Sequence, residues 1–78
     1  MTPVENTFYY GRPPGEAEVR ALHEVREVYG IQRVRADDRS RAIHVEYDAS
    51  RLTENDIAAL LREAGINLCQ PVKAPVPL

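Results

Sequence analysis

The stretch Arg41 to Tyr47 constrains this chain more than any other. Ile43, Val45 and Tyr47 alternate with Ala42, His44 and Glu46, the period of two that sends successive side chains to opposite faces of a sheet. A strand of this kind belongs to a sheet with one face packed on a core and the other open to solvent. Just before it, Ile31 to Ala36 reads as a partner strand, with Arg33 and Arg35 pointing away from Val34, and Asp37 to Ser40 supplies the polar turn. A hairpin with one apolar face is not stable alone, so the rest of the chain has to cover that face.

Two helical patterns are available to do so. Glu16 to Tyr29 carries Ala21, Leu22, Val25, Val28 and Tyr29 at helical spacing, with a favourable Glu16 to Arg20 pair and Gly30 as the stop. The second helix has the clearer start. Thr53 can cap it, Asp56 stands at the reciprocal capping-box position, and Leu52 and Ile57 have the spacing of a hydrophobic staple. It starts at Glu54, presents Ile57, Leu60, Leu61 and Ala64 as its apolar stripe, and ends at Gly65. Asn6 to Gly11, with Thr7, Phe8, Tyr9 and Tyr10, favours a first strand, and Ile66 to Cys69 a short last one. Pro71, Pro75 and Pro77 then forbid a regular ladder, so residues 71–78 read as an extended or disordered tail.

The order strand, helix, strand, strand, helix, strand has a simple solution that buries both helical stripes. It is an α+β ferredoxin-like βαββαβ sandwich, a four-stranded antiparallel sheet with two helices on one face, filling residues 1–70 as a single domain. Length supports one domain: 78 residues bury only about 60% of the surface the unfolded chain exposes, so function belongs on a surface or in a shallow cleft. No apolar run approaches the ~20 residues needed to cross a bilayer, and no basic-then-apolar leader opens the sequence, which gives the expectation of a cytoplasmic protein without membrane insertion. The net charge of -2 argues against a general nucleic-acid binder. Nine of the ten basic residues are arginine, a ratio that suits planar recognition of carboxylate or phosphate and that coding bias produces equally well. Cys69 is the single cysteine, so one molecule can form no disulfide and no site built on two thiolates.

The segment from Gly30 to Ile66, GIQRVRADDRSRAIHVEYDASRLTENDIAALLREAGI, resembles the second half of a heavy-metal-associated (HMA) domain, the module of copper chaperones and of the N-terminal regions of metal-transporting P-type ATPases. The resemblance rests on the Gly-Ile opening of the second strand, the Glu-Tyr-Asp end of the third, the Leu-Thr start of the second helix and the Ala-Gly-Ile that follows it. It covers most of the chain except the proline-rich tail, and it implies the same sandwich.

The family carries Gly-Met-x-Cys-x-x-Cys directly after the first strand, the second Cys lying thirteen residues before the glycine that ends the first helix. Counted back from Gly30, that Cys falls on Ala17 and the first on Pro14, and the motif's glycine falls on Gly11. The motif has therefore become Gly11-Arg12-Pro13-Pro14-Gly15-Glu16-Ala17, with Arg12 and Glu16 as the charged residues of the loop. Neither Pro14 nor Ala17 can donate an electron pair to Cu(I) or Zn(II), which this family holds through two thiolates. The resemblance implies the fold, and the substitutions remove the activity that goes with it.

Three other chemistries are open to inspection. Cys69, His23 and His44 are the remaining soft ligands, but the sandwich puts His23 on a helix and His44 on the open sheet face, so one metal cannot reach both. Weak Cu or Zn binding would then need Cys69, which the family's geometry places near the old loop, or ligands from two molecules. The open face carries Arg33, Arg35, His44 and Glu46, joined by residues of the first strand whose parity is ambiguous. Family spacing from Gly11 turns Thr7 and Tyr9 inward, whereas hydrophobicity turns Phe8 and Tyr10 inward, and a one-residue slip exchanges the whole set. With Phe8 and Tyr10 outward, the face would resemble the stacking platform of single-stranded nucleic-acid binders; with them inward, a face for a protein partner or for self-association fits better. Catalysis has little support: Arg12 sits where acylphosphatases of this fold bind phosphate, yet Pro13 and Pro14 remove two of the N–H donors such a cradle needs. The expectation is a non-enzymatic interaction module without a resident cofactor.

Overall fold

The computed structural model describes residues 2–69 and 76–77. Its elements follow the order β1 (Pro3–Tyr10), α1 (Glu16–Val25), β2 (Ile31–Asp37), β3 (Ala42–Asp48), α2 (Glu54–Glu63), β4 (Leu68–Cys69) and β5 (Val76–Pro77). The antiparallel sheet has the order β2-β3-β1-β4, with β5 also on β1, and the α+β arrangement is compatible with the ferredoxin-like βαββαβ sandwich. Proline-rich residues 71–75 and Leu78 of the expected tail lie outside the described residues, while Val76–Pro77 pairs with Val4 and Glu5.

The core lies between the sheet and the two helices. Val4, Phe8 and Tyr10 of β1, Ile43, Val45 and Tyr47 of β3, Leu22 and Val25 of α1, and Ile57, Ala58 and Leu61 of α2 are all buried. Neither ten-residue helix would persist alone in water, so this packing holds them. The strand parity follows hydrophobicity: Val4, Asn6, Phe8 and Tyr10 face the helices, and Thr7 and Tyr9 face the other way. Counting from Gly11 in the HMA pattern gives the wrong face, because it turns a fully buried phenyl ring into solvent. Asn6 is the cost of this choice. Its carboxamide is completely buried, and Tyr47 donates its hydroxyl hydrogen bond to Asn6 Oδ1 across the β1–β3 ladder.

Several element boundaries shift for local reasons. β1 starts at Pro3 and not at Asn6, with Pro3 opposite Asp48 and Val4 opposite Tyr47; proline is tolerated at the first position of a strand. α1 stops at Val25 and not at Tyr29: Glu27 and Val28 turn their N–H groups to Glu24 and Val25, three residues back, and the chain leaves the helix through tight turns. Tyr29 is consequently 75% exposed, with the Arg51 guanidinium stacked 4.4 Å from its ring centre. Gly30 follows at φ 101°, a left-handed conformation that disfavours any side chain. β3 starts at Ala42 because Arg41 itself is left-handed at φ 53° and closes the hairpin turn, its carbonyl accepting from Tyr10 N at 2.9 Å. Ile66 and Asn67 precede β4 instead of belonging to it, since Ile66 N–H bonds back to Leu61 O and Gly65 N–H to Arg62 O, the Schellman pattern that ends α2.

The start of α2 is built as its sequence predicts. Asp56 N–H donates to Thr53 Oγ1 at 3.2 Å and Thr53 N–H donates to Asp56 Oδ2 at 2.9 Å. α1 starts differently. Gly15 has no side chain to offer, and Glu18 alone reaches back to accept Gly15 N–H at 3.2 Å.

Asp48 ties the ends of the sheet together. Its Oδ1 accepts from Ser50 Oγ at 2.6 Å, Thr2 N at 2.9 Å and Ser50 N at 3.0 Å, and its Oδ2 lies 3.4 Å from Arg51 Nε. These donors, Ser50 hydroxyl first, favour the charged form and lower its pKa to about 2. Among the described residues no helix is long and apolar enough to cross a membrane.

Candidate functional site: the open face of the sheet

With β1 parity settled, the open face can be assembled from its cross-strand pairs. Arg35 stands opposite His44, and His44 opposite Thr7; Arg33 stands opposite Glu46, and Glu46 opposite Glu5; Ala42 lies between Asp37 and Tyr9, and Tyr9 is opposite Cys69. Each row crosses three or four strands, and such directly opposed side chains are the units that stabilise a sheet face. The four residues expected on the face, Arg33, Arg35, His44 and Glu46, are therefore together on it.

The electrostatics are those of a mixed, nearly balanced grid. Arg33 Nη1 lies 3.9 Å from Glu46 Oε2, and Arg35 Nη2 lies 4.0 Å from Glu5 Oε2. Both arginines are more than half exposed, whereas Glu5, Glu46 and His44 are half-buried among their neighbours. Pairs this long and this wet contribute little to stability. Their effect is to leave a face with charge of both signs, fixed in a known order, and no large single-sign field.

Glu5 is the residue that sequence reasoning missed, and Thr7 joins the face with the hydrophobic parity of β1. Thr7 Oγ1 and His44 Nδ1 are 2.9 Å apart, and Glu5 Oε1 is 4.0 Å from the same nitrogen. A hydroxyl, an imidazole and a carboxylate invite comparison with a nucleophile relay. In such a relay the acid orients one ring nitrogen while the other takes the proton from the hydroxyl. Here both groups address Nδ1, which fixes the ring on the sheet and leaves the relay unbuilt. The signal that would have found Glu5 is the alternation Glu5, Thr7, Tyr9, once β1 is extended back to Pro3.

In the loop after β1, Arg12, Glu16 and Ala17 are exposed, Pro14 is half-buried, and Arg41 Nη1 steadies the loop by donating to Gly11 O at 3.4 Å. Cys69 is exposed, and its Sγ would lie 3.2 Å from a Cβ placed on Gly11, so the lone sulfur does sit at the root of this loop. His23 is exposed on α1, across the sheet from His44. The three soft ligands do not converge, and among the described residues no group of three or more His, Cys, Asp or Glu is placed to hold a metal ion.

Aromatic content decides how the face compares with a nucleic-acid platform. Phe8 and Tyr10 point into the core, and Tyr10 donates its hydroxyl hydrogen bond to Asp38 Oδ1 at 3.0 Å, burial and that carboxylate together raising its pKa. Tyr9 alone remains on the outer side of β1, so successive bases have no pair of rings to stack on.

No protein-family model matches the chain, and no curated protein or solved structure matches it.

Proposed function

We propose that this chain is an HMA-like domain that has kept the scaffold without the two thiolates of the metal loop, and that acts in the cytoplasm as a non-enzymatic module binding a protein partner or a second copy of itself. One observation carries the reading: the sheet face away from the helices sets Arg33, Glu46 and Glu5 in one cross-strand row and Arg35, His44 and Thr7 in the next. A protein surface with a complementary order of charges matches such a face in register, and charge order of this kind gives specificity more than raw affinity. A nucleic-acid backbone, of one sign throughout, does not match it. The exposed arginines supply planar donors for carboxylates of a partner.

A second reading keeps a metal. It is favoured by the exposed Cys69 sulfur at the root of the Gly11 to Ala17 loop, which could bridge Cu or Zn between two molecules. Equilibrium titration with Cu(I) and with Zn(II) against a competing chelator separates the two. The interaction reading predicts no stoichiometric uptake by the monomer and no difference between the natural chain and Cys69→Ser. Uptake that disappears in Cys69→Ser would establish the metal reading in its place.

A further inference from the structure

The two edges of the sheet are treated unequally. On one side, the outer edge of β1 is met by Leu68–Cys69 opposite its C-terminal end and by Val76–Pro77 opposite its N-terminal part, and Pro77 has no N–H to offer a further strand. On the other side, among the described residues no strand pairs with the outer edge of β2 from Arg33 to Asp37. A bare row of N–H and C=O groups is a template for another strand. Apolar surface runs beside it. Val34 and Ala36 line a shallow cleft with Val19 and Leu22 of α1, and Val19 is 44% exposed, one of only two large hydrophobic residues so exposed among the described residues.

We propose that β2 pairs with its own counterpart on a second copy, antiparallel about a two-fold axis at Arg35, so that the two sheets become one continuous sheet. Side-chain alternation restricts the choice, because faces stay matched only in every second register. Centring on Val34 would set Arg33 against Arg35 twice. Centring on Ala36 removes that conflict but leaves only Arg35 to Asp37 overlapping. Centring on Arg35 overlaps Arg33 to Asp37, sets Arg33 against Asp37 twice and Val34 against Ala36 twice, and leaves one like-charged pair, each Arg35 already having Glu5 of its own sheet 4.0 Å away.

The helix above the edge is self-complementary under the same operation. Glu16, Val19, His23 and Arg26 follow one another along the exposed side of α1, acid at one end and base at the other. A two-fold runs the two α1 helices antiparallel, which turns Glu16 toward Arg26 of the other copy and Val19 toward its His23, and covers the apolar cleft from both sides. An isologous interface of this kind closes on itself as a dimer and does not propagate. Both open faces then lie on the same side, with the two Arg35 rows meeting and each Arg33 row running on into the Asp37 row of the other copy.

The inference rests on the interaction reading in taking a second copy as the partner, but it uses the edge and not the face. Sedimentation equilibrium of the full chain is expected to give twice the 8.8 kDa of the monomer. Arg33→Asp and Asp37→Arg each turn both attractive pairs into repulsive ones, and each is expected to raise the dimer dissociation constant on the order of tenfold. An equimolar mixture of the two variants is expected to recover a 1:1 dimer, because one chain then presents acid at both positions and its mate arginine at both; a variant that merely misfolded could not do this. Val19→Glu is expected to weaken the dimer as well. A monomeric natural chain, a dimer indifferent to both charge reversals, or a mixture that fails to recover would each overturn the edge pairing. A monomer that still binds a different protein through the open face would overturn it and leave the interaction reading standing.

Discussion

Phe8→Ala is expected to lower the melting temperature by roughly 15–30 °C, while Tyr9→Ala, one residue along, is expected to move it by only a few degrees. Phe8 is fully buried in the C-terminal half of β1, opposite Ile43 and within the cluster that includes Tyr47, Ile57 and Leu61. Truncating a buried phenylalanine costs about 3–5 kcal/mol, because the lost transfer energy is joined by that of the cavity left behind. A chain of this size has about 4–12 kcal/mol of total stability, and each kcal/mol shifts its melting point by about 4–8 °C. Tyr9 faces the partly solvated side, where surface substitutions stay mostly within about 0.5 kcal/mol. The pair of variants therefore reads strand parity directly in a thermal melt. Equal losses, or a larger loss at Tyr9, would contradict the fold described above.

The second large effect is expected at the polar contact inside the core. Asn6→Leu leaves the Tyr47 hydroxyl without the acceptor it uses, and Tyr47→Phe takes away the donor that Asn6 Oδ1 receives. Leaving one member of a buried pair unsatisfied costs about 1–3 kcal/mol, whereas replacing both by apolar groups of similar shape comes much closer to neutral. The double variant is expected to be more stable than the sum of the two single losses predicts, by about 1 kcal/mol or more, measured by urea denaturation as a double-mutant cycle. Simple additivity would mean that the contact contributes nothing.

These two sites also mark where the sequence was legible and where it was not. The alternation of Ile43, Val45 and Tyr47 declares its buried face, since only one parity is apolar, and Thr53 with Asp56 declares the start of α2 by local hydrogen bonding that needs no tertiary context. Asn6 to Tyr10 gives two answers. Hydrophobicity turns Phe8 and Tyr10 inward, the count from Gly11 turns Thr7 and Tyr9 inward, and Asn6 falls on the buried parity; Val4, which becomes informative once the strand is seen to start at Pro3, sides with hydrophobicity. The end of α1 was hidden for a related reason: Val28 and Tyr29 continue an apolar helical spacing, yet Val28 helps to form the turn and Tyr29 stacks with Arg51 outside the core. Arg41 looked like the first residue of a strand because nothing in its neighbours signals a left-handed conformation.

The candidate site was legible to the extent that it depended on β2 and β3. Arg33, Arg35, His44 and Glu46 follow from alternation alone. Glu5 does not, because its place depends on how far β1 extends, and Thr7 follows only with the parity of β1; Glu5 stands beside Arg35 and Thr7 meets His44. The loop from Gly11 to Ala17 was the opposite case: side chains such as Pro14 and Ala17 have no lone pair for a metal, and no packing can alter that.

The central claim is that the open sheet face engages protein. A photo-crosslinking residue placed at Glu46, in the middle of that face, tests it most directly when compared in cells with the same residue placed at Glu63 on the helical side. A discrete protein adduct is expected from the Glu46 position, competed away by excess natural chain, and none from Glu63. Adducts of equal yield from both positions, or no competable adduct from the sheet face, would contradict it.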